Sequence, residues 1–222
     1  MFGEARHPFF FLLARTHAPH KISGVVADIA KILHRESDIL SRLDVMAAEI
    51  TRDYRGKDFT VVAILNGSFV FLADLLRRIP LRLQVGSLRL ASYQGTQSSG
   101  IIDFPQHRTA DLSGRHVLIL DDILDSGRTL HAVKERLGKE SGAASLRTCV
   151  LLRKNVERVR PIEADYVGFD IPDVFVVGYG LDYNEHFRNL PFLGVLTDEA
   201  IKQAATENNP PNPFRIAARQ SQ

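Results

Sequence analysis

VLILDDILDSGRTL, residues 117–130, is the stretch on which the reading of this chain turns. Val117 to Leu120 are four consecutive apolar residues, as expected of a strand buried on both faces. Asp121 and Asp122 follow at once, so the strand delivers two adjacent carboxylates at its end. Side by side they repel, and the pair favours something that donates hydrogen bonds or carries positive charge. A sugar diol or a metal ion meets that need. Asp125 comes next, and Ser126-Gly127-Arg128-Thr129 then opens a helix. Gly127 permits an unusual backbone angle. The amides of the turn, the Ser126 and Thr129 hydroxyls and the helix dipole can all face one point, which makes a phosphate cradle. One loop thus offers a diol grip and a phosphate grip about one ribose apart.

Outward from this stretch, strand and helix signals alternate. Ile39, Leu40, Leu43, Ala47 and Ile50 recur at helical spacing, with Ser37 as N-cap and Gly56 as stop. TVVAIL (60–65) is a short β-branched run expected to be a buried strand, broken by NGS (66–68). FVFLADLLRRI (69–79) predicts an amphipathic helix ended by Pro80. LQVGSLRLASY (83–93) reads as a strand and QGTQSSG (94–100) as a polar loop. HVLILDD (116–122) is the clearest buried strand, followed by a helix over about 128–141 that Gly142 stops. SLRTCVLLR (145–153), ADYVGF (164–169) and DVFVVGYG (173–180) read as further strands. The alternation predicts an α/β fold with a mostly parallel central sheet flanked by helices. Ligands in such folds sit beyond the carboxyl ends of the strands. That directs attention to residues 66–68, 92–100, 121–129, 153–155 and 178–188.

The chain has 222 residues, which suits one domain with appendages. With 45% hydrophobic and 24% charged residues it is an ordinary globular mix, not a disordered chain. A net charge of +2 argues against binding to nucleic acid by bulk charge. The one cysteine, Cys149, excludes an intramolecular disulfide and any multi-cysteine metal site, and its apolar neighbours predict a buried small residue. No apolar window is long enough for a transmembrane helix. PFFFLLA (8–14) makes a poor signal peptide, being short and followed by Arg15, His17 and Pro19. Residues 1–22 read as an N-terminal extension, 23–204 as the domain, and the Asn-, Pro- and Gln-rich 205–222 as a mobile tail. Cytoplasm is the expected location, with no membrane partner.

Other readings of the central stretch fare worse. A Walker B strand needs a GxxxxGK[ST] loop, and none is present. The acidic pocket of a phosphate-receiver domain opens its domain, whereas most of a hundred residues of α/β pattern precede this one. No GxGxxG follows any strand, so a dinucleotide site is not indicated. The string resembles instead the phosphoribosyl-pyrophosphate (PRPP) motif of type I phosphoribosyltransferases. VVAILNGSFVFLADLL (61–76), SYQGTQSSG (92–100) and VFVVGYGLDYNEHFRNLP (174–191) are similar, in order and spacing, to the other signatures of the hypoxanthine-guanine branch. The resemblance covers about residues 30–200. The first motif names the superfamily, and the last is specific to 6-oxopurine enzymes.

The resemblance implies the type I fold with a small hood region over the purine site. It implies a purine-salvage enzyme that joins hypoxanthine or guanine to the phosphoribosyl group of PRPP, giving IMP or GMP and pyrophosphate, with Mg2+ as cofactor. By motif, Asp121 and Asp122 would hold the ribose hydroxyls directly or through magnesium, and Asp125 would be the general base beside purine N7. Ser126, Gly127, Arg128 and Thr129 would cradle the 5′-phosphate. Leu65, Asn66 and Gly67 match the pyrophosphate loop, which often contains a cis non-proline peptide. Some relatives carry Lys at the position of Asn66, so here the loop would bind mainly through backbone amides. Lys154 would donate to purine O6, Phe175 stack on the base, and Val176 contact its edge. Asp182 would be a further magnesium-site acid and Arg188 a pyrophosphate contact. Ser92 and Tyr93 match the start of a loop that closes over the reacting centre. By analogy the chain would form a homodimer or homotetramer. An RNA-binding regulator on the same fold, and an enzyme for xanthine, adenine or orotate, remain the alternatives.

Overall fold

The computed structural model describes residues 26–89 and 111–206. A single 3-10 turn, Val26–Asp28, leads into β1 (Ile29–His34) and α1 (Glu36–Tyr54). Then come β2 (Phe59–Leu65), α2 (Phe69–Leu76) and β3 (Leu83–Arg89). β4 (His116–Leu124), α3 (Arg128–Glu140), β5 (Ser145–Lys154) and β6 (Tyr166–Ile171) complete the central layer. The chain ends in β7 (Val176–Val177), β8 (Leu193–Leu196) and α4 (Asp198–Thr206).

The main sheet has the order β3-β2-β4-β5-β6, and every pairing is parallel. Successive side chains of a strand point to opposite faces, and here both faces are covered. Val61, Ala63, Leu118, Leu120 and Leu151 pack under α1 and α2 with Ile39, Leu43, Phe71 and Leu75. Val62, Ile64, Val117, Ile119 and Val150 pack under α3 with Leu130, Val133 and Leu137. This explains why the strands read as unbroken apolar runs. A second, antiparallel sheet has the order β1-β8-β7 and forms the expected hood. Among the described residues no helix is long and apolar enough to cross a membrane.

Several boundaries differ from expectation. The N-cap of α1 is Arg35, not Ser37, and Asp38 accepts the Arg35 N–H at 3.1 Å. α2 stops at Leu76, short of Pro80, because Arg78 and Ile79 bond back three residues to Leu75 and Leu76. β4 runs two residues beyond Asp122. Of the strand expected over 173–180, only Val176–Val177 pairs with another strand, since Gly178, Tyr179 and Gly180 have φ of 96°, 51° and 104° and Gly178 bridges only to Leu181 in its own turn. The expected strand over 83–93 is a strand from Leu83 to Arg89, and its remainder lies outside the described residues. α4 carries helix to Thr206, inside the stretch read as tail. Cys149 is fully buried, and burial pushes its thiol up, as suits an inert core residue.

Candidate active site

The parallel strands β2, β4 and β5 all end at one edge of the main sheet, and the candidate residues sit on the loops that follow. β4 delivers Asp121 and Asp122. Asp121 is 5% exposed, and its Oδ1 accepts the Asp122 N–H at 3.0 Å. Asp122 Oδ1 accepts from Ile123 N–H at 2.7 Å. Burial, and next the charge of Asp122, holds the Asp121 carboxyl well above the ordinary carboxylate range. Burial raises Asp122 too, against the opposing pull of its hydrogen bonds and of Arg188. Two adjacent acids, one buried and one half-buried at the cavity wall, make a costly arrangement with a functional signature.

The loop after β2 closes against this pair. The Leu65–Asn66 peptide is cis. A Cβ on Gly67 would lie 1.6 Å from Asp122 Oδ2, so only glycine allows the loop to approach the carboxylate. From the other side, Gly180 packs against Gly67, and a Cβ there would meet the Gly67 carbonyl oxygen at 2.2 Å. Three segments distant in sequence, 65–67, 121–122 and 178–188, therefore meet backbone to side chain.

The loop 125–129 turns β4 into α3. Gly127 has φ of 76°, and Arg160 N–H donates to the Ser126 carbonyl at 3.2 Å. No side chain caps α3, which leaves its first N–H groups available to an anion. A cavity of about 280 Å³ opens here, lined among others by Leu65, Gly67, Asp122, Ser126 and Thr129. Its walls supply amides, hydroxyls and carboxylates in the order that the sequence placed them.

Lys154 ends β5 with its ammonium between two carboxylates, 3.2 Å from Asp125 Oδ2 and 3.0 Å from Asp173 Oδ1. Burial works against its charge, but Asp173 and Asp125 outweigh it, and the ammonium is held above the ordinary lysine range. Phe175 is 46% exposed for so large an apolar group and meets Tyr183 edge to face at 5.2 Å. Val176 is buried in β7 opposite Val195. Arg188 reaches back to the Gly180 carbonyl (3.0 Å), Asp182 (2.9 Å) and Glu185 (3.0 Å).

The structure thus gathers Leu65, Gly67, Asp121, Asp122 and the 125–129 loop around one cavity, with Asp125 also joined to Lys154; Asn66 is on the same loop but does not line the cavity. It places Asp182 against Arg188. Among the described residues no group of three or more His, Cys, Asp and Glu converges as a metal cage. Ser92 and Tyr93 lie outside the described residues. Asp173, Tyr183 and Glu185 were missed from sequence. Asp173 stands at the start of the strand expected over 173–180, and only its contact with Lys154 singles it out; Glu185 is marked by its local pair with Arg188.

The family described as "Phosphoribosyl transferase domain" matches residues 30–184. The hypoxanthine-guanine phosphoribosyltransferase of Streptococcus pneumoniae is 45% identical over 173 residues, covering 78% of this chain and 96% of that protein. A crystal structure of a hypoxanthine phosphoribosyltransferase from Staphylococcus aureus is similar with a TM-score of 0.76 at 40% identity, covering 80% of this chain and 97% of that one. A Trypanosoma cruzi hypoxanthine phosphoribosyltransferase structure gives a TM-score of 0.75 at 33% identity, covering 80% and 96%.

Proposed function

The chain belongs to the hypoxanthine-guanine phosphoribosyltransferase family, and we infer on that footing how its residues divide the reaction. It is a glycosyltransferase of purine salvage, moving 5-phosphoribosyl from PRPP to N9 of hypoxanthine or guanine. The observation that carries the site assignment is the joining of the buried Asp121–Asp122 pair, the uncapped start of α3 and the Asp125–Lys154 pair at one sheet edge.

In this reading the 5′-phosphate sits on the amides of 126–129, and Asp121 and Asp122 face the ribose hydroxyls. Lys154 donates to purine O6, Phe175 supports the ring face, and Val176 lies along its edge. N9 attacks C1′, the C1′–oxygen bond breaks, and its electron pair leaves with pyrophosphate. Asp125 takes the proton from N7 as the purine becomes bonded through N9. Arg188 and the amides of Asn66 and Gly67 face the departing pyrophosphate. The loop that begins at Ser92 and Tyr93 would exclude water from the activated sugar.

The family implies magnesium. The buried, adjacent carboxylates of Asp121 and Asp122 are an all-oxygen pair in need of positive charge, which fits a hard divalent ion. A magnesium ion held there would keep waters and take its other oxygens from a phosphorylated substrate. When bound, the ion would offset charge on pyrophosphate. Asp182 would be a further ligand on release from Arg188.

We also place the protein in the cytoplasm, as a homodimer or homotetramer without nucleic-acid or membrane partners. Exposed Phe69 on α2 and Val85 on β3 are apolar surface that a second copy would cover. The domain would span 23–204, between an N-terminal extension and a C-terminal tail. The decisive assay supplies PRPP and magnesium with hypoxanthine, guanine, xanthine or adenine in turn. Turnover of hypoxanthine or guanine, lost on chelation, is the expected result. Turnover of adenine alone would refute the purine-site assignment.

A further inference from the structure

Lys154 does not answer to Asp125 alone. Its side chain is 12% exposed, whereas those of Asp125 and Asp173 are 51% and 67% exposed, so two acids reach from the solvent side onto one sheltered ammonium. They come from separate elements. Asp125 is on the loop after β4, and Asp173 is on the linker between β6 and β7. The start of that linker is held beside the end of β5, with Asn155 N–H donating to the Ile171 carbonyl at 2.9 Å, and it turns on itself, with Val174 N–H donating to the Pro172 carbonyl at 2.9 Å. Two residues beyond Asp173, the same linker presents Phe175.

An ammonium has three N–H donors. Two are directed to the acids, and one is left for a carbonyl oxygen. The Asp173 bridge also ties the end of β5, in the main sheet, to the aromatic that leads into the small sheet. It therefore sets both the direction of the Lys154 donor and its offset from the ring that would lie on Phe175.

Building on the function proposed above, we propose that Asp173 is a positioning residue for recognition of the purine 6-oxo group. It shares the Lys154 ammonium with Asp125, so that the cation is not given to that acid alone, and aims the remaining N–H at O6. Without the second acid, Lys154 settles on Asp125, which costs the O6 donor and occupies the base together. The grip on PRPP, made by Asp121, Asp122 and residues 126–129, does not pass through Asp173.

The test is steady-state kinetics of the full chain with magnesium, comparing wild type, Asp173→Asn and Asp173→Glu. In Asp173→Asn we expect the KM for hypoxanthine to rise by about tenfold, as for loss of one charge-assisted hydrogen bond. The KM for PRPP should stay within about twofold, and Asp173→Glu should recover most of the purine affinity. An unchanged hypoxanthine KM overturns the proposal, and so do equal rises for both substrates, which mark a general loss of structure. Should Asp173→Asn fail to fold, Asp173→Ser and Asp173→Glu carry the same comparison. Absence of 6-oxopurine turnover in the wild type instead fails the functional reading, and the proposal falls with it.

Discussion

Asp125 and Lys154 touch at 3.2 Å, yet they are assigned different jobs and should fail differently. Asp125→Asn removes the proposed proton acceptor and keeps the shape, so kcat should fall by about a hundredfold or more while the KM for PRPP changes little. Lys154→Ala should chiefly raise the KM for the purine. Equal losses in kcat and PRPP affinity for Asp125→Asn would remove it as general base. Asp121 carries a separate prediction. Its folded-state carboxyl is raised well above the ordinary range, by burial first and Asp122 second. A raised acid adds stability below its unfolded pKa of about 3.9 and loses it as pH rises through the folded value. In metal-free protein Asp121 therefore contributes less to stability as pH rises above about 4. Asp121→Asn keeps an acceptor for the Asp122 N–H and removes the charge. Its thermal midpoint in chelator at neutral pH should exceed that of wild type, by about 2–4 °C per kcal/mol relieved. The gap should close as pH falls toward 4, and turnover should be lost. Identical midpoints across that range would show that the buried charge costs nothing.

At the scale of elements, the loops depend on one another more than on their own strands. Gly67 and Gly180 let the β2–α2 loop, the end of β4 and the 178–188 segment pack without side chains between them. Gly180→Ala would add a Cβ 2.2 Å from the Gly67 carbonyl oxygen, at a φ of 104°. Since the neighbour is backbone, the 65–67 loop, proposed to face pyrophosphate, must move. We expect the KM for PRPP to rise by about tenfold or more, given the sensitivity of such geometry to displacement. Gly56→Ala is the control, with a φ of 75° but nothing within 4 Å of the added Cβ. It should lower stability by about 1–2 kcal/mol through strain alone and leave both KM values unchanged. A normal PRPP KM in Gly180→Ala would show that the two loops are not coupled. Elements also explain what sequence misplaced. The run of 173–180 has strand-like composition, but three consecutive residues at positive φ turn it into the wall of the site.

For the whole molecule, the site is assembled from the ends of β2, β4 and β5 and from the small sheet, so binding should be felt by the entire domain. A ligand that binds only the folded state stabilises it by about 2.7 kcal/mol at a hundred times its Kd. PRPP with magnesium should therefore raise the thermal midpoint by about 5–10 °C, read by calorimetry or dye binding. PRPP with chelator should raise it far less, and equal shifts would show that the ion plays no part in binding. Much of this architecture was legible in the chain. Val117–Leu120, Val61–Ile64 and Cys149–Leu152 are apolar among their own neighbours, so the parallel strands and the acids at the end of β4 follow from local pattern. The hood was expected from resemblance, but its pairing was not legible. Ile29 pairs with Leu196 and His34 with Leu193, contacts between opposite ends of the described chain. Asp173 on Lys154 and Gly180 on Gly67 are likewise contacts between separate elements. By itself the sequence determined which residues carry charge, which strands are buried and where the turn into α3 lies. Only the tertiary structure decided which acids share a cation and which loops meet, because those are distances between residues that no local periodicity connects.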